Sequence, residues 1–221
     1  MERRQSVGGG IMAEGVFLSI EGGEGVGKST QIAALKDALE SRGLDVVLTR
    51  EPGGTEGAEA IRQLLLSGSD DRWGARPEAL LFAAARGDHV EKLIKPSLAA
   101  GKWVMSDRFI DSSRAYQGVS LGLGDADIME LHRIGSGGFL PHRTLVLDLS
   151  DVEAARRASA RDNGQSDRIG GRDADFHASV RRAFQDFAAT EPDRVRLINA
   201  EGAVNGVTAR LLAAIADLLP S

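Results

Sequence analysis

The chain has 221 residues, a length that suits one α/β domain with a small mobile insert. Hydrophobic residues make up 42% and charged residues 27%, and a formal net charge of −5 without a long basic block disfavours a nucleic-acid-binding surface. There are no cysteines, which excludes disulfides and thiolate metal sites, and no apolar run approaches the ~20 residues of a membrane span.

The first ten residues, MERRQSVGGG, carry charge but are followed by no apolar stretch, so they do not resemble a secretory signal. We expect residues 1–12 to be a flexible leader, with Met12 as an alternative start, and residues 13–221 to form a single domain. This composition favours a cytoplasmic enzyme without a nucleic-acid or membrane partner.

Strands and helices are predicted to alternate along the chain. In order we expect a strand at Val16–Ile20, a helix at Ser29–Arg42, a strand at Asp45–Thr49, a helix at Thr55–Leu66, a long helical region at Arg76–Ala100 with a break near Gly87 left open, and a strand at Trp103–Ser106. The stretches SRAYQG and GLGD are predicted loops, followed by a helix at Asp125–Ser136, a strand at Arg143–Leu149, a helix at Asp151–Ala160, a loop at Asp162–Asp173, a helix at Ala174–Ala189, a strand at Arg194–Asn199 and a helix at Val204–Leu219.

This alternation predicts an α/β fold, a five-stranded parallel sheet with helices on both faces. In such a sheet, ligands bind beyond the carboxyl ends of the strands. The loops that follow the strands are therefore where chemistry is expected.

The stretch GGEGVGKST follows the first predicted strand and opens the first predicted helix. Gly22, Gly27, Lys28 and Ser29 match the phosphate-binding pattern G-x-x-x-x-G-K-[ST], whose glycines turn backbone N–H groups toward an anion. Lys28 would reach the β- and γ-phosphates, and the Ser29 hydroxyl would bind Mg²⁺. The expected nucleotide-binding residues are Gly22, Gly23, Glu24, Gly25, Val26, Gly27, Lys28, Ser29 and Thr30. The alternative is a glycine-rich turn with a surface lysine.

Two further loops, TREPGGT and SDRFIDSSRAYQG, follow the second and third predicted strands. Asp107 and Arg108 stand side by side at the end of the third strand. A carboxylate there can hold Mg²⁺ through water, and a guanidinium can clamp a phosphate with two hydrogen bonds. Seen alone, the same residues would be an ordinary surface Asp–Arg pair.

Five stretches together resemble the bacterial thymidylate (dTMP) kinases: EGGEGVGKST, TREPGGT, EALLFAAARGDHV, SDRFIDSSRAYQG and SDRIGG. They occur in the order and spacing of that family and cover nearly the whole chain, from about Val16 to Leu219. The resemblance implies a nucleoside monophosphate kinase fold with a small lid at about residues 157–172. It also implies Mg²⁺, ATP as phosphoryl donor, and conversion of dTMP to dTDP. A homodimer is expected from the family, with Ala58–Leu66 and Glu78–Leu98 as a candidate face.

The resemblance implies a pocket for thymine. Phe82 looks like the aromatic ring that stacks on the base, and Arg86, one helical turn later, looks like the arginine that hydrogen-bonds a thymine carbonyl. Gln117, with Ser113, resembles the group that reads the other edge of the base, and Tyr116 resembles the ring beside the deoxyribose. Without the family, Phe82 could be a core residue, Arg86 a solvated helix charge and Tyr116 a loop anchor.

The resemblance also implies a site for the acceptor phosphate. Arg62 and Arg108 resemble the arginines that hold the dTMP phosphate, and Glu51 resembles an acidic residue near it. The second pKa of a phosphate monoester is about 6, so the acceptor is already an anion at neutral pH and needs no strong general base. What the reaction needs is in-line placement and positive charge around the transferring group.

The segment RRASARDNGQSDRIGG is polar and rich in arginine, and a lid formed by it would exclude water from ATP. Arg161 resembles the arginine that bacterial members place on the transferring phosphoryl group. Glu24 stands where other members carry a P-loop arginine, so the resemblance implies that the catalytic arginine comes from the lid. Arg157 and Arg168 are supporting candidates, and Ser159 stands where some relatives have a second arginine. By composition alone the segment could be an exposed basic loop. The expected catalytic residues are thus Lys28, Asp107, Arg108 and Arg161, with Ser29 and, through water, Asp107 at the metal.

Two alternatives stay open. Another nucleoside monophosphate kinase would share the fold and chemistry, although Phe82, Arg86 and Gln117 favour a pyrimidine with two carbonyls. A P-loop switch or partitioning ATPase would share the loop GEGVGKST, but Gly23 stands where partitioning ATPases place a signature lysine, and the N-K-x-D motif of GTPase switches is absent.

The four histidines show no metal-site spacing and are expected to be surface or packing residues: His89, His132, His142 and His177.

Overall fold

The structure is a computed structural model, and it describes residues 15–69, 71–150, 152–153 and 168–220. Within this part of the chain, five strands form one parallel sheet in the order β2-β3-β1-β4-β5. The strands are β1 (Phe17–Glu21), β2 (Val46–Arg50), β3 (Trp103–Asp107), β4 (Arg143–Asp148) and β5 (Val195–Asn199). The predicted five-stranded parallel sheet is confirmed, and each strand lies within two residues of its expected bounds.

The helices flank the sheet. They are α1 (Lys28–Glu40), α2 (Glu56–Leu66), α3 (Ala75–His89), α4 (Lys95–Ala99), α5 (Ile110–Ser113), α6 (Asp125–Ser136), α7 (Ala174–Thr190) and α8 (Val204–Ala214). Wide π-type turns at Val90–Ile94 and Arg114–Ser120 continue α3 and α5, and a 3₁₀ turn at Ala216–Leu218 follows α8, so the last helix is shorter than predicted. Of the helices described, none is long and apolar enough to cross a membrane.

One loop prediction is wrong. The stretch SRAYQG, residues 113–118, lies inside a helical segment that runs from Ile110 to Ser120. Its polar residues gave the sequence the appearance of a loop. In the structure Ala115 and Tyr116 pack into an apolar cluster with Val180 and Phe184 of α7, which stabilises the turn. The helix therefore depends on tertiary contacts that the local sequence does not show.

The break left open near Gly87 does not occur there, because α3 runs through this residue to His89. A Cβ atom at Gly87 would lie 2.5 Å from the Gly135 carbonyl oxygen of α6. The glycine thus allows two helices to pack closely, and the departure from α-helical geometry comes later, at Val90–Ile94.

The sheet order places β1 between β3 and β4, with helices packed on each face. One apolar cluster joins β1 to α1 and α8, and a second joins it to α3 and α6. The chain leaves β1 and β3 toward different sides, so a crevice opens beyond their carboxyl ends. The leader, the predicted helix at 151–160 (apart from residues 152–153) and residues 162–167 of the predicted loop lie outside the described residues.

Candidate active site

The loop between β1 and α1 forms the predicted cradle. Gly22, Gly25 and Gly27 have φ angles of 135°, 72° and 94°, which residues with side chains rarely adopt. The Lys28 ammonium donates to the carbonyl oxygens of Gly22 and Gly23, at 3.1 and 3.0 Å, so the side chain curls back over the loop. The N–H groups at the start of α1 are left to bind an anion.

A first cavity, which we term the loop cavity, lies over this cradle. It is lined by Glu24, Gly25, Val26, Gly27, Lys28, Ser29, Thr30, Gln31, Asp107, Arg108, Ala200, Gly202, Val204 and Val207. Most of the predicted nucleotide-binding stretch therefore lines this one cavity, whereas Gly22 and Gly23 border a neighbouring cavity on the β4 side. Burial, with the nearby Arg108 guanidinium, lowers the pKa of Lys28 to about 8.

A second cavity, which we term the acceptor cavity, lies beyond β3. Its walls contain all of the residues predicted to bind dTMP: Glu51, Arg62, Phe82, Arg86, Arg108, Ser113, Tyr116 and Gln117. Glu24, Asp107 and Arg108 line both cavities. The two cavities therefore share a wall at the carboxyl end of β3, and this wall carries both signs of charge.

Arg108 is held in that wall in an unusual conformation. Its φ of 71° is rare for a residue with a side chain and costs roughly 1–2 kcal/mol. Its guanidinium donates to the Gly22 carbonyl (3.2 Å) and to a Glu24 carboxylate oxygen (2.9 Å), and its centre lies 5.0 Å from the centroid of the Tyr116 ring. The turn thus aims a cation between the two cavities.

Glu21 stabilises this turn from below. The fully buried carboxylate accepts hydrogen bonds from the Phe109 N–H (2.7 Å), the Ser112 hydroxyl (2.6 Å) and the Ser19 hydroxyl (2.8 Å). Burial, together with the nearby Asp111 carboxylate, raises the pKa of Glu21 to about 7. The sequence analysis missed this residue, although an acid ending the buried run FLSI is a signal that could have identified it.

Asp107 lies beside Arg108 in the shared wall. Its Oδ1 atom is buried and has no hydrogen-bond partner among the described residues. The described residues also contain no group of three or more histidine or acidic side chains that could hold a metal ion by themselves. Asp107 and Ser29 line the same cavity, and an unpaired carboxylate oxygen there suits Mg²⁺, which usually takes one or two protein ligands and completes its shell with water and substrate phosphates.

Arg86 lies on the floor of the acceptor cavity and is almost fully buried. Its Nε donates to Glu51 (2.8 Å), and its Nη2 donates to the Ser113 hydroxyl (2.7 Å) and to the Phe109 carbonyl (3.4 Å). Its Nη1 makes no hydrogen bond to a described residue. The other Glu51 oxygen lies 3.0 Å from the Nδ1 of His89, whose Nε2 is 2.7 Å from the Thr49 hydroxyl. Of the two expected environments, surface or packed interior, His89 occupies the interior, where it also fixes the carboxylate that orients Arg86.

Gln117 lines the same cavity and is backed by a second buried network. Its Nε2 donates to the carboxylate of Glu78 (2.8 Å), which also pairs with Arg168 (2.5 Å) and Arg172 (2.9 Å). Arg168 further donates to the Leu65 carbonyl (2.9 Å). This supporting candidate from the predicted lid therefore contacts α2 and α3 in the structure, with a fully buried side chain.

Of the remaining residues predicted to contact phosphates, only some belong to the part of the chain that the structure describes. Arg62 borders the acceptor cavity and donates to the Pro52 carbonyl (2.7 Å), while Arg161, Arg157 and Ser159 lie outside the described residues. Glu78 was missed by the sequence analysis. The spacing Glu78, Phe82, Arg86 places all three on one face of α3 and was the available signal.

A phosphate-binding loop, a second cavity and a shared charged wall at the carboxyl edge of a parallel sheet define a P-loop phosphotransferase of the nucleotide-binding class. The comparisons give the family. The family model for thymidylate kinase matches residues 20–211. The chain is 60% identical over 206 residues to the thymidylate kinase of Rhizorhabdus wittichii, covering 93% of this chain and 99% of that protein. It is 47% identical over 203 residues to the thymidylate kinase of Caulobacter vibrioides, covering 90% and 95%.

A solved structure agrees with these relatives. The crystal structure of thymidylate kinase from Ehrlichia chaffeensis superposes with a TM-score of 0.74 at 31% identity, covering 91% of this chain and 99% of that one. The chain therefore belongs to the thymidylate kinase family. It is an enzyme that phosphorylates dTMP, with ATP as phosphoryl donor, and the switch or partitioning ATPase is not favoured.

Proposed function

We propose that the γ-phosphoryl group of ATP passes directly to the dTMP phosphate across the wall shared by the two cavities. The observation that supports this is that Glu24, Asp107 and Arg108 line both cavities. ATP phosphates in the loop cavity and a monophosphate in the acceptor cavity would then face each other without an intermediate on the protein. Such a direct transfer depends on placement and electrostatic stabilisation.

In this proposal the cations of the wall stabilise the charge that develops during transfer. Lys28 would bind the β- and γ-phosphates. Arg108, whose planar guanidinium donates to the Gly22 carbonyl and the Glu24 carboxylate, would exchange such contacts for oxygens of the donor and acceptor phosphates. Arg62, which lines the acceptor cavity, would hold the acceptor phosphate. Arg161 is proposed to complete this set, and it lies outside the described residues.

Ser29 and Asp107 are proposed to hold Mg²⁺, the latter through water. The buried, unpaired Oδ1 of Asp107 supports this, because a carboxylate oxygen without a protein partner needs water or a cation nearby. When bound, the ion would offset negative charge on the ATP phosphates.

For the base, we propose that thymine enters between Phe82 and the helix that carries Ser113 and Gln117. Phe82 is half-buried in the cavity wall, so part of its ring is available for stacking. Arg86 would donate from its unused Nη1 to a base carbonyl, and Tyr116 would limit space beside the sugar. Glu51 is proposed to act mainly by orienting Arg86, since both carboxylate oxygens are already hydrogen-bonded.

The test is an ADP-release assay with ATP and Mg²⁺, run with dTMP, dUMP, dCMP, dGMP, dAMP or no acceptor. We expect strong preference for dTMP, with dUMP second because it lacks one methyl group, worth roughly 1–3 kcal/mol. Preference for another monophosphate would contradict the proposed base contacts. Turnover that no acceptor changes would contradict transfer across the shared wall.

Two broader expectations are also proposals. A homodimer is supported by Leu64 of α2 and Leu80 of α3, which are 42% and 55% exposed on the face expected to pair. Light scattering tests it, and a monomer at assay concentration would contradict it. The cytoplasmic location stays a prediction, and cell fractionation tests it.

A further inference from the structure

Glu78 has no role in the mechanism above, yet it is a fully buried carboxylate directly behind the acceptor cavity. Burying a carboxylate is costly unless it is paired and hydrogen-bonded. Here two guanidinium groups, from Arg168 and Arg172, and the amide of Gln117 surround it at 2.5–2.9 Å. Of these three partners, Gln117 is the one that lines the acceptor cavity, so it is the direct link between Glu78 and the cavity wall.

The contact fixes which end of the Gln117 amide faces the cavity. A carboxylate paired with two arginines accepts hydrogen bonds and cannot donate them, so only the NH₂ end of Gln117 can face it. The carbonyl oxygen Oε1 makes no hydrogen bond to a described residue, and it is the end left for the cavity. We propose that Glu78 is a positioning residue, which holds the Gln117 carbonyl toward the cavity and so selects a pyrimidine with an N3–H, thymine or uracil, over cytosine.

This inference rests on the proposed base contacts and names what gives them selectivity. Thymine and uracil present an N3–H donor beside the O4 acceptor. A fixed Gln117 carbonyl would accept from N3–H, while the Arg86 guanidinium would donate to a base carbonyl. Cytosine carries an acceptor at N3 and an amino group at C4. The Gln117 carbonyl would then face another acceptor, and the Arg86 guanidinium would face another donor. Leaving buried polar groups unpaired is a strong source of rejection.

The selectivity would be lost if the amide could rotate, since its NH₂ end would then donate to the bare N3 of cytosine. Glu78→Gln permits this rotation, because glutamine has nearly the same shape but offers both donors and acceptors. The readout is the ratio of kcat/KM for dTMP to that for dCMP at saturating ATP. We expect this ratio to fall at least tenfold, with the KM for ATP within about twofold of wild type.

Arg172→Met is the matched control. It removes one ion pair from Glu78 but keeps the Glu78–Gln117 hydrogen bond and the pair with Arg168. We expect a lower melting temperature and a dTMP-to-dCMP ratio within about twofold of wild type. Selectivity lost equally in both variants would show that the ratio follows general destabilisation, and this would overturn the proposal.

An unchanged ratio in folded Glu78→Gln protein, or an equal fall in kcat/KM for dTMP and dCMP, would also overturn it. If Glu78→Gln does not fold, Glu78→Asp takes its place, because it keeps a negative charge for the arginines and, being one methylene shorter, lengthens the contact with Gln117. The same fall is expected there, and an unchanged ratio again overturns the proposal. A wild-type enzyme that does not prefer dTMP to dCMP would instead contradict the proposed base contacts, whatever the variants show.

Discussion

The two cavities are built in different ways. The loop cavity is made mainly by eight consecutive residues, Glu24 to Gln31, whose backbone turns at Gly25 and Gly27 and whose Ser29 and Thr30 side chains are exposed. The acceptor cavity is made by side chains from β2, α2, α3 and α5, several of them almost fully buried. A phosphate chain can be recognised by a backbone, whereas a base edge requires individual side chains in fixed orientations.

The difference extends to the ligand-free state. In the acceptor cavity Arg86 is already locked by Glu51 and Ser113, and Gln117 by Glu78. In the loop cavity, the hydrogen bonds that Lys28 makes to described residues go to carbonyls of its own loop. Binding energy at the acceptor cavity is therefore not spent on ordering these side chains, whereas Lys28 must exchange its carbonyl contacts for phosphate oxygens.

The largest effect is expected for Lys28→Ala, which removes the cation from the loop cavity. Loss of one preorganised donor to a developing charge costs roughly 10²–10³-fold in kcat, and we expect the upper end because Lys28 carries full charge. Steady-state kinetics with dTMP and ATP measures it. Lys36→Ala, on the same helix but paired with Glu40, is the control and should retain wild-type kcat. A fall below tenfold for Lys28→Ala would contradict its role.

Arg161→Ala should come next, with a fall in kcat of roughly 10²-fold and a small change in KM, because its contact is expected only during transfer. The same assay measures it. Arg157→Ala, in the same segment, should lose less. Wild-type turnover in Arg161→Ala would remove this residue from the mechanism and leave Arg108 as the main arginine of the shared wall.

Arg86→Ala sharpens the comparison, because it should affect one cavity alone. We expect kcat/KM for dTMP to fall by roughly 30-fold, about 2 kcal/mol, through a higher KM, with the KM for ATP within about threefold. Glu51 loses a buried partner, so stability also falls by about 3 kcal/mol and assays are run well below the melting temperature. The surface variant Arg133→Ala is the control. An equal loss for both substrates would argue against a base-reading role.

The smallest effect is a pH dependence confined to the loop cavity. Burial and the nearby Arg108 lower the pKa of Lys28 to about 8. The acidic groups of Asp107, Glu24 and Glu21 act in the opposite direction and limit this lowering. The charged form binds phosphate, so kcat/KM for ATP should be retained below pH 8 and fall up to tenfold per pH unit above it.

The control for this profile is Lys28→Arg, whose guanidinium stays charged over the same range. Its residual activity should show no fall between pH 7.5 and about 9.5. A wild-type profile that is flat over this range, or the same fall in both proteins, would contradict the assignment of the pH dependence to Lys28.

The sequence predicted much of this molecule. The five strands follow from apolar runs separated by helical patterns, and the cradle from glycine spacing before Lys28, since both are local features read over a few residues. The residues of the acceptor cavity were found through resemblance to a family, and the structure brings them together in one cavity. Without the family, Phe82, Arg86 and Tyr116 were also compatible with purely structural roles.

Only the tertiary structure decided how those residues are oriented. The helical form of SRAYQG depends on packing against α7, and the passage of α3 through Gly87 depends on α6. The contacts of Arg86 with Glu51 and of Gln117 with Glu78 join residues 35 and 39 positions apart. Backbone turns and apolar periodicity are set by neighbours in the chain, but the partner of a buried charge is set by whichever distant element packing brings beside it.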